Sequence, residues 1–446
     1  MATGKWDTIF ALSSGALPSG VAIVRVSGPG VRHALETIVD SVPEPRRPLL
    51  CSLRDEGGAL IDRGLVLFFP SPASFTGEDV AEFHVHGGRA VVAALLDRLG
   101  ALVGFRPAEP GEFARRAFVN GRIDLTEVEG LGDLIAAETE AQRRQAVRQS
   151  FGGLRDRLEE WRGRLIQARA LVEASFDFAD ESDVPATVSE GAWNLVSDVA
   201  AEIAQALDDG GRGERLRDGA EVVVSGPVNA GKSSLINALA RRDVAIVSAE
   251  AGTTRDLIEV HLDIGGYPVT VVDTAGLREA GGAVEQEGMR RARARGAAAD
   301  LVLMLDDIGL GGPSAGTMNG AATVWRVGAK ADRIDSAEER ARLAAKFDIL
   351  LSSKTGEGLD LLVARLAAFA RERMDPGESG LVTRARHRSG LEACLSALGA
   401  AREEGLALEL RAEELRRATD ALGRLTGRVD VEDLLDVIFR DFCIGK

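Results

Sequence analysis

Long apolar runs are missing from this chain of 446 residues. None approaches the roughly 18 residues that a membrane-crossing helix needs, so no membrane partner is expected. The stretch Met1 to Phe10 carries Lys5 and Asp7 and no apolar centre, which argues against a secretory leader. Cysteine is scarce. Cys51, Cys394 and Cys443 lie far apart without metal-like spacing, which excludes a disulfide framework and fits a cytoplasmic location. Positive charge is in deficit: Lys and Arg total 54 against 69 Asp and Glu, a net charge of -15. That balance excludes broad, nonspecific nucleic-acid binding and leaves room for a local basic patch. Lysine is the scarcer cation by far, with only Lys5, Lys232, Lys330, Lys346, Lys354 and Lys446. Where arginine is the default, a surviving lysine marks a candidate for a site that needs a compact ammonium. Four of these fall inside motifs below; Lys5 and Lys346 do not. Internal repeats and low-complexity tracts are also lacking.

What is present divides into regions. Residues 1–120 read as mixed α/β, with strands at Val21–Val26, Gly64–Phe69 and Val80–Val85 and a helix over Ala90–Leu99. His84 and His86 are expected on opposite strand faces, without a shared metal. From about residue 124 the pattern turns helical. Leu154, Leu158, Trp161, Leu165, Ala168 and Val172 form one apolar stripe, ended by the acidic stretch Asp177–Asp183. A further helix is expected over Trp193–Leu207, broken by Gly210-Gly211-Arg212-Gly213. A strand–loop–helix pattern then runs from Glu221 to about Arg371 and closes at Asp375-Pro376-Gly377. Beyond it Leu391, Leu395, Leu398, Leu415, Leu422 and Leu425 are core candidates. The fold expected is multidomain, α/β plus all-α. It comprises an N-terminal α+β domain (1–120), a helical domain in two parts (121–215 and 377–446) and a Ras-like P-loop domain inserted between them (216–376).

The inserted region carries the chemistry. Val222–Ser225 leads into Gly226-Pro227-Val228-Asn229-Ala230-Gly231-Lys232-Ser233-Ser234 and then an apolar helix. This is G-x-x-x-x-G-K-S with a strand before and a helix after. The glycines let backbone N–H groups face phosphate, the helix N-terminus adds a favourable dipole, Lys232 reaches the outer phosphates and Ser233 offers a hydroxyl to Mg2+. Val269–Val272 ends in Asp273-Thr274-Ala275-Gly276, a D-x-x-G motif whose Asp273 can hold Mg2+ through water. Thr253 and Thr254, in Gly252–Asp256, offer a further Mg2+ oxygen. Leu257–Ile264, Gly265-Gly266 and Tyr267–Val272 read as a hairpin. After the strand Thr323–Val327 comes Ala329-Lys330-Ala331-Asp332, where a GTPase normally has N-K-x-D. Asp332 can still accept from the N1 and N2 hydrogens of guanine, Lys330 can pack along the base, and Ala329 lacks the tethering amide. Weaker binding with unchanged base preference is expected. Ser352-Ser353-Lys354 follows the strand Phe347–Leu351 and can offer a backbone N–H to the guanine oxygen. Leu277 stands where a Ras-type glutamine would orient water, so Glu285 is the candidate for that role, with Glu279 and Glu287 as rivals. Asn229 could hold a monovalent cation where an arginine finger would otherwise put charge.

The chain closely resembles the bacterial tRNA modification GTPase MnmE (TrmE) family. The resemblance rests on Phe75-Thr76-Gly77-Glu78-Asp79, His86-Gly87-Gly88, Pro110-Gly111-Glu112-Phe113, Arg116-Ala117-Phe118, the nucleotide motifs, Asp273–Glu279 and the terminal Phe442-Cys443-Ile444-Gly445-Lys446. It implies a potassium-dependent GTPase with Glu285 as catalytic residue. With an FAD-dependent, MnmG/GidA-like partner it would add an aminomethyl-type (carboxymethylaminomethyl) group to C5 of the wobble uridine of certain tRNAs. The one-carbon unit would come from a tetrahydrofolate (5-formyl or methylene). A homodimer and a heterotetramer with the partner are implied. The implied GTP contacts are Asn229, Ala230, Gly231, Lys232, Ser233 and Ser234; Ser248, Ala249, Glu250, Ala251, Gly252, Thr253 and Thr254; Asp273, Thr274, Ala275 and Gly276; Ala329, Lys330, Ala331 and Asp332; and Ser352, Ser353 and Lys354. Potassium falls to Asn229, Ser248, Glu250 and Thr253, Mg2+ to Ser233 and Thr254, and folate to Arg25, Glu82, Arg122 and Lys446. Without the resemblance, Arg25 and Glu82 read as a cross-strand pair. A ribosome-assembly GTPase and a nucleotide-gated scaffold are the alternative functions.

Overall fold

The computed structural model describes residues 7–39, 41–177, 186–242, 244–246, 259–273, 298–310, 323–375, 377 and 380–429, together with 435, 438, 439, 442 and 445. They form two compact units. One comprises Met1–Gly132, Ser150–Arg162 and Asp420–Lys446, the other Asp133–Gln149 and Gly163–Thr419.

In the first unit the elements are β1 (Thr8–Leu12), β2 (Ser19–Ser27), α1 (Val31–Ile38), β3 (Leu49–Arg54), β4 (Leu60–Phe69), β5 (Val80–Gly87), α2 (Arg89–Gly100), β6 (Phe105–Pro107), α3 (Glu112–Val119) and the start of α4 (Leu125–Ala136). The six strands form one sheet in the order β3-β4-β5-β2-β1-β6, antiparallel except for the β1–β6 pair. Alternation decides its faces. Val24, Val26, Phe83 and Val85 pack on Leu35 and Ile38 of α1 and Leu95 and Leu99 of α2. The opposite face carries Ile9 and Ala11, covered by Phe113 of α3 and by Phe75. Because side chains repeat every two residues, Glu82, His84 and His86 share one face of β5 while Ala81, Phe83 and Val85 are buried. The expectation that the two histidines point apart is therefore wrong. They are separated by partners instead: His84 faces Glu82 at 3.4 Å and His86 faces Asp62 at 2.9 Å. Among the described residues no cluster suited to a metal is present.

The second unit holds most of the helices and the other sheet. The helices are α5 (Glu140–Ser150), α6 (Gly153–Asp177), of which Gly153–Arg162 belongs to the first unit, α7 (Ala186–Leu207) and α8 (Arg212–Asp218). After them come β7 (Ala220–Ser225), α9 (Lys232–Ala240), β8 (Glu259–Ile264), β9 (Tyr267–Asp273), β10 (Leu301–Asp307), β11 (Thr323–Ala329), α10 (Ala337–Ala344), β12 (Ile349–Leu351), α11 (Leu359–Met374), α12 (Ala385–Ala401) and α13 (Leu408–Thr426), whose residues from Asp420 on belong to the first unit. The helical stripe is as expected, with its members from Leu154 to Val172 at most 1% exposed. On α12 the expectation needs adjusting: Leu395 is half-buried, and Cys394 takes the fully buried place between Leu391 and Leu398. Burial pushes the Cys394 thiol up to about 12, so it behaves as a small apolar group. Gly210 and Gly211 do break the chain, both at positive φ, but α8 already begins at Arg212.

The sheet order is β12-β11-β10-β7-β9-β8, parallel apart from the β8–β9 hairpin. The hairpin turns on Gly265 and Gly266, at φ 64° and 90°, as a two-residue turn with both centres left-handed requires. β10 was not anticipated. Its residues are buried on both faces, so it shows no alternation to read. The two chain segments that bound this sheet meet. A Cβ on Gly213 would overlap the carbonyl of Val382. Arg388 binds Asp209 at 2.7 Å, Glu214 at 3.0 Å and the Leu207 carbonyl at 3.1 Å. The chain segments entering and leaving the sheet region are thus adjacent. Among the described residues no helix is long and apolar enough to cross a membrane.

Candidate functional site

Parallel pairing sets the C-terminal ends of β7, β9, β10, β11 and β12 along one edge of the sheet, where such folds bind ligands. The phosphate loop leaves β7 there. Gly226 has φ 144°, and any Cβ on it would overlap the Leu305 carbonyl of β10, so the strand can enter the loop only through glycine. Asn229 is exposed and left-handed at φ 62°, a conformation asparagine tolerates better than most residues. Gly231 at φ 104° opens α9. Lys232, only 6% exposed, curls back so that Nζ donates to the carbonyls of Gly226 at 3.0 Å and Pro227 at 2.8 Å. Its ammonium is thereby held over the loop. At the next residue, Ser233 Oγ donates to Asp273 Oδ2 at 2.8 Å, joining α9 to the buried end of β9.

The base end is built by β11 and β12. Ala329 is 3% exposed and its methyl faces Gly231 of the phosphate loop, 4.0 Å from where a Cβ there would stand. Lys330 is left-handed at φ 65°, and its Nζ donates to Asp307 Oδ2 at 2.7 Å. Ala331 is buried. Asp332 Oδ1 accepts from Ser352 Oγ at 2.6 Å, and that hydroxyl holds the carboxyl below its ordinary value. Ser352 is fully buried, and its oxygen accepts from the N–H groups of Lys354 at 3.3 Å and Thr355 at 3.2 Å. Ser353 and Lys354 follow in the same turn.

In the first unit, Arg25 and Glu82 lie opposite each other on β2 and β5 and form a two-pronged ion pair, 3.0 Å from Nε and 2.9 Å from Nη2. The cross-strand reading of this pair is correct. The guanidinium lies 5.7 Å from the Phe75 ring and 5.8 Å from Phe113. Exposed Arg122 runs its stem against Gly77, two residues beyond Phe75. The end of the chain comes back to this sheet. Ser13 Oγ donates to the Gly445 carbonyl at 2.8 Å, while Phe439 packs with Ala114 and Val128, and Phe442 against them.

Residues 8–122 match the N-terminal family of the GTP-binding protein TrmE, and residues 125–443 match the MnmE helical domain. The chain is 55% identical over 442 residues to the tRNA modification GTPase MnmE of Brucella canis, covering 99% of this chain and 98% of that one. The corresponding proteins of Brucella anthropi and Brucella suis give the same identity and coverage. This chain belongs to the MnmE family.

Of the residues that MnmE resemblance singles out, the structure brings Asn229 through Ser234, Asp273, Ala329 through Asp332 and Ser352 through Lys354 to one sheet edge. Ser248, Ala249, Glu250, Ala251, Gly252, Thr253, Thr254, Thr274, Ala275, Gly276, Leu277, Glu285, Cys443 and Lys446 lie outside the described residues. The donors that are described fit a small divalent ion: a hydroxyl and a buried carboxylate, hard oxygens already within hydrogen-bond distance. For a monovalent cation only Asn229 can be placed, on the exposed side of the phosphate loop. Glu82 and the Phe75 and Phe113 rings surround the Arg25 guanidinium, and Phe113 itself is fully buried. Sequence reasoning missed Asp307 as the partner of Lys330. The available signal for Asp307 was an acidic pair closing the apolar run Leu301–Leu305.

Proposed function

We propose that this MnmE-family chain hydrolyses GTP to drive modification of C5 of the wobble uridine in a subset of tRNAs. What supports the reading is the strand-end constellation in which Lys232 overlies the phosphate loop, Ser233 meets Asp273 and Asp332 stands ready for a base. Lys232 exchanges its two loop carbonyls for the outer phosphates, and the N-terminal N–H groups of α9 face the same charge. Ser233 and Asp273, with Thr254, hold Mg2+, which neutralises phosphate charge when bound. Asn229, with Ser248, Glu250 and Thr253, holds K+ where no arginine finger is available. Glu285 orients the attacking water, since Leu277 cannot. Asp332 selects guanine by accepting from two base hydrogens. In the N-terminal domain Glu82, Arg25, Arg122 and Lys446 bind a tetrahydrofolate carrying the one-carbon unit. The domains run 1–120, 121–215 with 377–446, and 216–376. The protein acts as a homodimer and joins an FAD-dependent partner. Mass spectrometry of wobble uridines from cells lacking this protein tests the reading. Loss of the C5 group in some tRNAs is expected; an unchanged uridine profile refutes it.

A further inference from the structure

Residue 329 is where the guanine-binding loop and the phosphate loop face each other. Ala329 is buried against Gly231 and carries only a methyl group, so its side chain cannot tie the two loops by a hydrogen bond. The loop is nevertheless anchored. The register partner of Ala329 on β10 is Asp307. The Asp307 carboxylate is 15% exposed, receives Lys330 Nζ at 2.7 Å and has Arg333 Nη1 at 3.6 Å. Its other oxygen accepts the Gly309 N–H at 3.0 Å, which fixes the carboxylate against its own strand end. Lys330 needs such a hold, because it is a non-glycine residue in left-handed backbone and relaxes unless something over-determines it. On the far side the loop is held by Ser352 through Asp332. Asp307 is therefore the side-chain anchor on the β10 side, at the position paired with the missing tether.

We propose that Asp307 is a positioning residue for guanine-nucleotide binding, holding Lys330 and its loop in place of the hydrogen bond that Ala329 cannot make. The proposal rests on the GTPase reading of this edge. It is electrostatic, so it depends on the charge of Asp307 and not only on its size.

The test uses the full chain and a fluorescent GDP analogue. Asp307→Asn, which keeps the shape, raises the Kd roughly five- to tenfold, the scale of a partly exposed charge-assisted bond. The loss falls on KM for GTP more than on kcat, and Asp307→Glu restores most of the affinity. Ala329→Asn supplies the tether from the other strand. In that background Asp307→Asn costs less than about twofold, because two anchors for one loop are not additive. An equal factor in both backgrounds overturns the proposal. So does a lowered melting temperature with no change in Kd. Equal GDP affinity in the wild-type chain and in Asp307→Asn sinks this inference alone. A wild-type chain that binds no guanine nucleotide sinks the GTPase reading, and this inference with it.

Discussion

Asp332→Asn has a direction that follows from the Ser352 hydroxyl. That oxygen accepts the Lys354 and Thr355 N–H groups, so its single hydrogen is left for Asp332. In the variant the amide oxygen keeps this bond and the NH2 is turned toward the base. Guanine presents two hydrogens there, so two charge-assisted bonds become a donor facing donors. Taking the low end of about 1.5 kcal/mol for each lost charged hydrogen bond gives about 3 kcal/mol, or at least about a 100-fold loss of GDP affinity. Xanthine carries an oxygen in place of the guanine 2-amino group and accepts from the same NH2. Competitive titration with GDP and xanthosine diphosphate reads both changes. The variant should bind xanthosine diphosphate at least about tenfold better than wild type does. GDP affinity within about threefold of wild type, or no gain for xanthosine diphosphate, would refute the placement of the base against Asp332. Ser352→Ala frees the amide to rotate, and combined with Asp332→Asn it should blunt the xanthine preference.

Three further outcomes are expected, for the monovalent cation, for Glu112 and for the pH profile. GTP turnover should rise severalfold when K+ replaces Na+, and Asn229→Gly should abolish that difference. Glycine keeps the left-handed φ of 62° while removing the amide, so the loop survives; equal wild-type rates in both salts would remove the cation role. In the N-terminal unit, Glu112 accepts from Arg106 at 2.8 and 2.6 Å, from Arg116 at 3.0 Å and from the Glu109 N–H at 2.9 Å. Glu112→Gln should cost about 2–3 kcal/mol in urea unfolding, below the usual range for breaking a buried pair because Asp7 still serves both arginines. Burial alone would raise the Glu112 and Asp7 carboxyls, yet their arginine partners hold both below the ordinary values. Their stabilisation is therefore complete above the unfolded pKa values and lost as pH falls through the lower folded ones. Wild-type stability should drop below about pH 4, with a flatter profile in the variant; parallel profiles would assign the network no linkage.

The sequence by itself determined the elements whose requirements are local. The phosphate loop was legible because Gly226 and Gly231 must take backbone that side chains forbid, and Lys232 and Ser233 follow at fixed spacing. The Gly265-Gly266 hairpin and the α6 stripe were legible for the same reason: turn chemistry and helical period act over a few residues. Strand β10 was not, since a strand buried on both faces carries no alternation. The histidine pair of β5 was misassigned although its period was available, and the register with Asp62 and Glu82 settled which partner each takes. Only the tertiary structure decided the long-range meetings. Ser13 binds the carbonyl of Gly445 across 432 residues of chain, and Gly213 touches Val382 where the chain enters and leaves the sheet region. Lys330 finds Asp307 on a neighbouring strand. Such contacts depend on which strands pair and in what register, and that is set by the packing of the whole sheet. The motif residues name a GTPase; the fold decides what holds each of them in place.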